Sequence, residues 1–249
     1  MNMKSIVANV GILAVAAYTV STLSGAKTHW SYSGNEGPSN WGELDKKYAM
    51  CAEGKNQSPI DITQTIATDL NPLIFNQGAA ANTFVNNGHT VQANIAKGNS
   101  LIVDGSTYNL LQYHFHTPSE NVINGKSYPM EMHLVHANSA GNLAVVGVMF
   151  DVAKKRNTKM MKILRALPLN AGDENSFEAG VKGYDLLPIT QEYYRFNGSL
   201  TTPPCSEGVK WFVMKKPVSI SDGQLKQVQD VMGTNNRPLQ PKNSRAVLR

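Results

Sequence analysis

The sequence predicts one mainly β domain in which a few helices are attached to a sheet. Short apolar runs with alternating or β-branched residues recur along the chain, and glycine and proline separate them at short intervals. This pattern is typical of many strands within one domain. No internal repeat or low-complexity linker divides the chain. Its 249 residues are enough for one large domain with its own hydrophobic core.

Six segments have the alternation or the β-branched composition of strands. They are residues 82–86, 90–95, 108–116, 130–137, 143–150 and 209–215. Apolar residues instead recur at helical spacing in residues 160–167 and 225–232, which predicts two helices. Ser221 and Gln224 precede the second helix at the spacing of a capping box.

The first 26 residues have the composition of a secretory signal peptide. Lys4 gives a basic start, residues 6–20 are mostly apolar, and residues 24–26 are small, as at a signal-peptidase site. The apolar run is shorter than a typical membrane span, and an uncleaved N-terminal anchor is the alternative. We expect residues 1–26 to be removed and residues 27–249 to fold in the periplasm or outside the cell, without a membrane anchor.

Cys51 and Cys205 are the chain's two cysteines and lie far apart in sequence. In an oxidising compartment, an isolated pair most simply forms a disulfide, which would stabilise the fold by at most about 5 kcal/mol. Two buried free thiols are the alternative.

The net charge of +5 is mild, and only residues 154–156 form a basic run. We interpret this run as the exposed start of a helix, because a nucleic-acid site needs a clustered basic stripe. We therefore do not expect a nucleic-acid partner.

Two of the predicted strands carry histidines with a phase that suggests a metal site. Side chains two residues apart in a strand face the same side. Gln112, His114 and His116 therefore share one face of the first strand, while Tyr113 and Phe115 face the opposite, apolar side.

The second strand repeats this arrangement. Glu131, His133 and Val135 share one face, and Met132, Leu134 and His136 lie on the other. We expect His136 to be a core histidine with its hydrogen bonds satisfied. The segment between the two strands contains Pro118, Asn124, Gly125 and Pro129, which are turn-forming residues.

If the two strands are neighbours, three imidazoles converge. One His-x-His strand is weak evidence for a metal, but three histidines without a fourth protein ligand are the composition of a catalytic zinc site. Neutral ligands leave the metal charge uncompensated, so a bound water loses a proton near neutral pH. Gln112 and Glu131 lie in phase with His114 and His133, and we expect them to accept the N–H groups of the ligands.

At these residues the chain resembles the α-class carbonic anhydrases, in particular the exported bacterial type. Matching motifs follow one another in the same order along essentially the whole mature chain, which is far more specific than any single motif. They are His29-Trp30-Ser31-Tyr32, Gln57-Ser58-Pro59-Ile60, Asn86-Asn87-Gly88-His89, residues 112–120, residues 131–136, residues 198–204 and Asn235-Asn236-Arg237-Pro238.

The resemblance implies a large, mostly antiparallel central sheet with short helices around it, and a cone-shaped cleft with zinc at its base. It implies reversible hydration of carbon dioxide to bicarbonate and a proton by zinc-bound hydroxide. It assigns one Zn²⁺ per chain to His114, His116 and His133, the same three residues that the strand phase brings together.

The resemblance also implies three catalytic roles. Thr201 would orient the hydroxide by accepting its proton while donating its own to Glu120. His89 would carry the released proton to bulk solvent, because the pKa of an imidazole is near that of the bound water.

Other residues match family positions around this centre. Tyr32, Asn87 and Gln92 match positions that order water along the proton pathway, although Gln92 stands where most members have Asn. The substrate wall would be formed by Val135, Val145, Leu200, Thr201, Thr202, Val209 and Trp211.

The resemblance has two further implications for the whole chain. Cys51 and Cys205 match a disulfide of exported bacterial members, which would brace the loop carrying Thr201. Many bacterial members are dimers, so a homodimer is possible.

Two other functions remain open from the residues. A non-catalytic binding module on the same fold would normally lack a zinc histidine, whereas all three are present here. A copper–zinc redox protein would need more ligands and gives no reason for Glu120 or Thr201.

Overall fold

The computed structural model describes residues 28–78, 80–176 and 181–249 of the chain. The expected signal peptide, residues 1–26, lies outside the described residues. In the described part, no helix is both long enough and apolar enough to cross a membrane.

Strands make up most of the regular structure. In chain order they are β1 (Asp61–Ile62), β2 (Ile74–Asn76), β3 (Ala81–Asn86), β4 (Val91–Ile95), β5 (Ser100–Val103), β6 (Ser106–His116), β7 (Val122–Ile123), β8 (Met130–Ala137), β9 (Leu143–Val152), β10 (Glu174–Ser176), β11 (Tyr193–Ser199), β12 (Glu207–Met214) and β13 (Val218–Ile220). The α-helices are α1 (Trp41–Leu44), α2 (Met50–Glu53), α3 (Thr158–Arg165) and α4 (Asp222–Met232), and short 3₁₀ turns span Gly34–Glu36 and Lys46–Tyr48.

One large sheet organises the described residues. Its main path runs β10-β3-β4-β6-β8-β9-β12-β11, with β5 also on β6, β2 on β5 and β13 on β9. Most neighbouring pairs are antiparallel, whereas β9 is parallel to β12 and β13. A separate two-stranded ribbon joins β1 and β7. The predicted mainly β fold with peripheral helices is confirmed.

The two longer helices form where the apolar spacing predicts them. Helix α4 begins with a complete capping box: Ser221 Oγ accepts from the Gln224 main-chain N–H, and Gln224 Oε1 accepts from the Ser221 main-chain N–H. Each bond satisfies a donor that the first turn of a helix otherwise leaves free. Met160 and Ile163 of α3, with Leu225 and Val228 of α4, then pack into the main core.

The central strands separate two apolar layers. Tyr113, Phe115, Met132 and Leu134 point into the main core beneath the helices. On the other face of the sheet, a second cluster contains Val145, Met149, Val209 and Trp211, with Val135 packed against it. The alternation predicted for β6 and β8 is therefore present, and it leaves one face of these strands for polar side chains.

A disulfide links Cys51 in α2 to Cys205, which follows Pro203 and Pro204. The predicted pairing is therefore present, and the alternative of two free thiols is wrong. Trp41 packs with the two cysteines in a small third cluster, against which Trp30 and Tyr32 lie. The bond joins the N-terminal segment to the loop that carries Thr201.

His136 is the buried core histidine that the strand phase predicts. Its side chain is inaccessible to solvent; Nδ1 donates to the Ala144 carbonyl at 3.3 Å, and Nε2 accepts from the Tyr184 hydroxyl at 3.1 Å. Burial lowers the pKa of His136 to about 4, against the opposing effect of the Ala144 and Leu134 carbonyls.

We predict that His136 makes the fold sensitive to acid. The unfolded chain binds a proton at this side chain near pH 6.5, whereas the folded chain binds it only near pH 4. Stability therefore falls as pH drops from 6.5 towards 4, by about 3 kcal/mol from this group. Urea unfolding at several pH values should show a shallower acid loss for His136→Gln, whose amide can make both hydrogen bonds without titrating. Parallel pH dependences for the two proteins would contradict this.

Candidate metal centre

The pairing of β6 with β8 brings the three predicted histidines together. His114 lies opposite His133 in the antiparallel register, and His116 lies opposite Glu131. The ring centroids are 5.3 Å apart for His114 and His133, 4.5 Å for His116 and His133, and 5.0 Å for His114 and His116. One nitrogen from each ring lies within 4.8 Å of the others. No other part of the described chain contains such a group of three metal-ligating side chains.

In His114 and His116, the ring nitrogen that faces away from the centre has its own acceptor. His114 Nδ1 lies 2.8 Å from Gln112 Oε1, and His116 Nδ1 lies 2.8 Å from the Asn235 carbonyl oxygen. Because a carbonyl oxygen only accepts, both Nδ1 atoms carry the proton and both Nε2 atoms keep a free lone pair. Gln112 therefore lies where the strand phase predicts it, with its side-chain oxygen next to the His114 ring.

His133 has the reverse arrangement. Its Nε2 lies 3.1 Å from Glu131 Oε1, without a well-aligned hydrogen bond, so Nδ1 is the nitrogen left for the centre. Burial lowers the pKa of His114, His116 and His133, and the charges of neighbouring rings lower that of His114 and His133 further. All three imidazoles are thus held neutral, which is the form that binds a metal.

Glu131 is held tightly behind His133. Its Oε2 accepts from the main-chain N–H groups of Glu120 and Asn121 at 2.9 and 2.8 Å, and its Oε1 accepts from the Asn121 side chain at 2.8 Å. Gly147 lies opposite His133 on β9, and a Cβ at that position would lie 2.8 Å from Glu131 Oε1. Only glycine leaves room for the carboxylate here.

Glu120 is a buried carboxyl group at the edge of the centre. Its Oε1 accepts from the Arg237 main-chain N–H at 2.8 Å, and its Oε2 lies 3.5 Å from His116 Nε2 and 3.8 Å from His133 Nδ1. Burial raises the pKa of Glu120, while the Arg237 N–H and the Thr201 hydroxyl lower it. Glu120 therefore faces the free histidine nitrogens, and the Thr201 hydroxyl lies close enough to affect its pKa.

A cavity of about 120 Å³ opens beside the histidines. His114, His116, Thr202 and Gln112 line it. The other lining residues are Trp30, Tyr32, Asn87, His89, Thr90 and Gln92. The cavity thus brings the residues predicted for the proton pathway together with two of the predicted ligands.

His89 lies on the flat face of Trp30, with ring centroids 3.7 Å apart and an interplanar angle of 7°. The His29 ring is 6.4 Å away. Burial, followed by the effect of His29, lowers the pKa of His89. The Asn87 side-chain oxygen accepts from the main-chain N–H groups of His89 and Thr90, both at 2.9 Å, which holds the turn.

Gln92 and Tyr32 are the other two residues predicted for the proton pathway. Gln92 donates to the Asn94 side chain at 2.8 Å. The pKa of the Tyr32 hydroxyl is raised well above its ordinary value by burial and, to a smaller extent, by Glu120. Tyr32 is therefore a neutral hydroxyl at neutral pH.

An apolar wall lies beside His133. The ring of Trp211 meets the His133 ring edge to face at 4.9 Å, and the Trp211 indole N–H donates to the Ser199 carbonyl at 3.0 Å. Val145 and Val209 are buried in the same cluster, and Val135 and Leu200 are packed against it. These five residues are the apolar positions predicted for the substrate wall.

Three supporting contacts lie outside what the sequence pattern predicts. They are the Asn235 carbonyl behind His116, the Arg237 main-chain N–H on Glu120 and the Trp30 ring beneath His89. Two of them are main-chain atoms, which carry no residue-type signal. All three residues belong to motifs that the resemblance marks, but strand phase could not assign them a contact.

The chain is similar to known proteins over nearly all of its length. The profile of the eukaryotic-type carbonic anhydrases matches residues 36–249. A carbonic anhydrase of Klebsiella pneumoniae is 42% identical over 249 residues, covering 99% of this chain and 100% of the relative.

Solved structures agree with this similarity. The α-carbonic anhydrase of Photobacterium profundum has 51% identity and a TM-score of 0.85, covering 89% of this chain and 100% of that one. That of Thermovibrio ammonificans, solved with the inhibitor sulfanilamide, has 45% identity and a TM-score of 0.88, covering 90% and 100%. The chain therefore belongs to the α-class, or eukaryotic-type, carbonic anhydrase family, whose enzymes are lyases that hydrate carbon dioxide.

Proposed function

We propose that this protein catalyses the reversible hydration of carbon dioxide to bicarbonate and a proton, with one zinc ion held by His114, His116 and His133. The observation that carries the proposal is the set of three neutral imidazoles, two buried and that of His114 half-buried, whose free nitrogens converge. Family membership supports the same reaction.

The residues present fit a zinc ion. His116 Nε2 is buried and has no hydrogen-bond partner, which costs free energy unless a further group binds there. Three histidine ligands leave one coordination position open, as catalytic zinc sites require. When bound, zinc supplies a Lewis acid that lowers the pKa of a water molecule and gives a nucleophile near neutral pH.

Glu120 and Thr201 orient the nucleophile in this proposal. In its charged form Glu120 can only accept, so the Thr201 hydroxyl, whose hydrogen bond favours that form, donates its proton to it. With its own proton directed at Glu120, the Thr201 oxygen can only accept a hydrogen bond. The attacking group must therefore point a proton at Thr201, which selects one orientation. Glu131 and Gln112 hold the imidazoles in place from behind.

Carbon dioxide binds against the apolar wall. The substrate is small and has no net dipole, so contact with Val135, Val145, Val209, Leu200 and Trp211 replaces hydrogen bonding. The indole of Trp211 touches His133, so the wall lies next to the reacting atoms.

His89 removes the product proton. Its pKa lies below the ordinary value, so the imidazole is neutral at pH 7 and can accept a proton. It lines the same cavity as His114 and His116, together with Tyr32, Asn87 and Gln92, whose polar groups can order water between them. The transfer therefore follows water across the cavity.

We further propose that the protein is exported and that residues 1–26 are removed. The N-terminal composition supports this, and the Cys51–Cys205 disulfide fits an oxidising compartment.

Stopped-flow carbon dioxide hydration by protein purified from the full chain tests the proposal directly. Zinc content is measured on the same sample. Rapid hydration at about one zinc per chain, lost with a chelator and restored by zinc, is the expected result. Stoichiometric zinc without hydration would overturn the catalytic proposal and favour a binding module.

Replacing a ligand histidine should abolish zinc binding and hydration together. His116→Ala removes one of three ligands, so we expect no stoichiometric zinc after dialysis and no hydration above background. Atomic absorption and stopped-flow assay of the same sample measure both. His136→Gln is the matched control, because His136 lies in β8, the strand paired with that of His116, but makes both of its hydrogen bonds within the core. Equal zinc content in His116→Ala and the wild type would contradict the assignment.

Removing the Thr201 hydroxyl should separate zinc binding from catalysis. Thr201→Ala keeps all three ligands but loses the group that orients the nucleophile, so kcat/KM should fall about 100-fold with zinc unchanged. The assay uses concentrated buffer, so that proton removal does not limit the rate. Thr107→Ala, an exposed threonine of β6, serves as the control. An unchanged kcat/KM in Thr201→Ala would remove Thr201 from the mechanism.

Replacing His89 should slow turnover only where proton removal is limiting. His89→Ala should lower kcat in weak buffer, leave kcat/KM unchanged and recover with added imidazole. In the wild type, kcat in weak buffer should fall as pH drops through the pKa of His89, below 6.5, because protonated imidazole cannot accept a proton. Full kcat for His89→Ala in weak buffer would show that another route carries the proton.

A further inference from the structure

Gln57 and Arg237 belong to two of the sequence motifs, and the mechanism above uses neither side chain. Both are buried: Arg237 is 1% exposed and Gln57 is 3% exposed. Burying a guanidinium group costs free energy unless its donors are satisfied, and burial lowers the pKa of Arg237 to about 10. The contacts of the buried Arg237 side chain must therefore offset this cost.

The Arg237 guanidinium group binds three neutral oxygen atoms from the N-terminal part of the chain. Nη1 donates to Gln57 Oε1 at 2.8 Å and to the Ser58 carbonyl at 2.9 Å, and Nη2 donates to the Cys51 carbonyl at 2.9 Å. It also lies over the Trp41 ring, 5.6 Å from its centroid. These three bonds tie the end of the Arg237 side chain to residues 51, 57 and 58.

Gln57 continues this network to the other half of the disulfide. Its Nε2 donates to the Cys205 carbonyl at 3.0 Å and to Glu207 Oε1 at 3.1 Å. Arg237 thus holds the main chain at Cys51, and Gln57 holds it at Cys205. We call these two side chains the Arg237–Gln57 clamp.

The clamp is connected to the Thr201 loop by short main-chain bonds. The Cys205 N–H donates to the Thr202 carbonyl at 2.8 Å, and the Leu200 N–H donates to the Ser206 carbonyl at 3.0 Å. Ser58, whose carbonyl Arg237 binds, donates its own N–H to Ser199 Oγ at 2.9 Å. The clamp therefore holds the loop on both sides of Thr201.

The same arginine also reaches the partner of Thr201. Its main-chain N–H donates to Glu120 Oε1 at 2.8 Å, and this is the contact that anchors the carboxylate. Glu120 and Thr201 lie on separate loops, and Arg237 contacts one directly and the other through Gln57 and the Cys205 segment.

We propose that the Arg237–Gln57 clamp is a positioning device that sets the Thr201 hydroxyl against Glu120. The inference rests on the proposed function, because it assigns the clamp to the orientation of the nucleophile. The planar fork of arginine is needed, since lysine keeps the charge but cannot bind Gln57, Ser58 and Cys51 at once. If the clamp only stabilised the fold, substituting its residues would weaken the fold and leave the catalytic step of the folded enzyme unchanged.

The experiment compares Arg237→Lys and Gln57→Leu, each alone and combined with Thr201→Ala, in the zinc-loaded full chain. Zinc content, thermal midpoint, and kcat and KM in weak and concentrated buffer are measured for each. Val228→Ala, which leaves a cavity in the core on the helix side of the sheet, controls for lost stability. Wild-type activity is measured first, because its absence would overturn the proposed function and not the clamp alone.

We expect Arg237→Lys and Gln57→Leu to retain zinc and to lower kcat/KM about 10- to 100-fold in concentrated buffer, the range for a misplaced reacting group. Their dependence on buffer concentration, which reports proton removal, should stay as in the wild type. In the Thr201→Ala background each should lower kcat/KM by less than about 2-fold, since the group they position is gone.

Three results would overturn the clamp. The first is unchanged kcat/KM in both single variants of an active wild type. The second is a full additional loss on top of Thr201→Ala, which would show that the clamp does not act through Thr201. The third is an equal loss in Val228→Ala at a matched thermal midpoint. If Arg237→Lys does not fold, Gln57→Leu gives the same comparison, because it leaves the arginine bound to Ser58 and Cys51.

Discussion

The antiparallel register between β6 and β8 is the constraint on which the rest of the site depends. It places His114 opposite His133, and a slip of one residue would turn either set of histidines into the core. Tyr113 and Phe115 on one strand and Met132 and Leu134 on the other hold the register, because all four are buried in the main core. Each contributes about 2 kcal/mol through burial, so the apolar face keeps the polar face in position.

A different polar group lies behind each of the three imidazoles. The Gln112 amide and the Asn235 carbonyl accept from His114 and His116, and the Glu131 carboxylate lies 3.1 Å from His133 Nε2. Glu131 is itself held by the loop at residues 120 and 121, so the loop that carries Glu120 and the orientation of His133 are coupled. A change in this loop would therefore reach His133 and Glu120 together.

The part of the site that could be predicted from strand phase is the part that lies within two strands. Period-two alternation is enough to predict the positions of the three histidines and of Gln112, whose side chain reaches His114 two residues away. The contacts of Asn235, Trp30 and Arg237 depend on how distant loops fold over the sheet, and two of them use main-chain atoms. Family resemblance marked these motifs without indicating their contacts, which required the three-dimensional arrangement of the chain.

His133 and His136 show what separates a candidate ligand from a structural histidine in one strand. Both are buried and both have a lowered pKa, so burial and charge state do not distinguish them. His136 uses both ring nitrogens within the protein, on Ala144 and Tyr184, and has no lone pair to offer. His133 has only the Glu131 carboxylate beside Nε2, and its Nδ1 faces the other two rings. The difference follows from the faces of β8, since residues three apart lie on opposite sides, one towards the core and one towards the cavity.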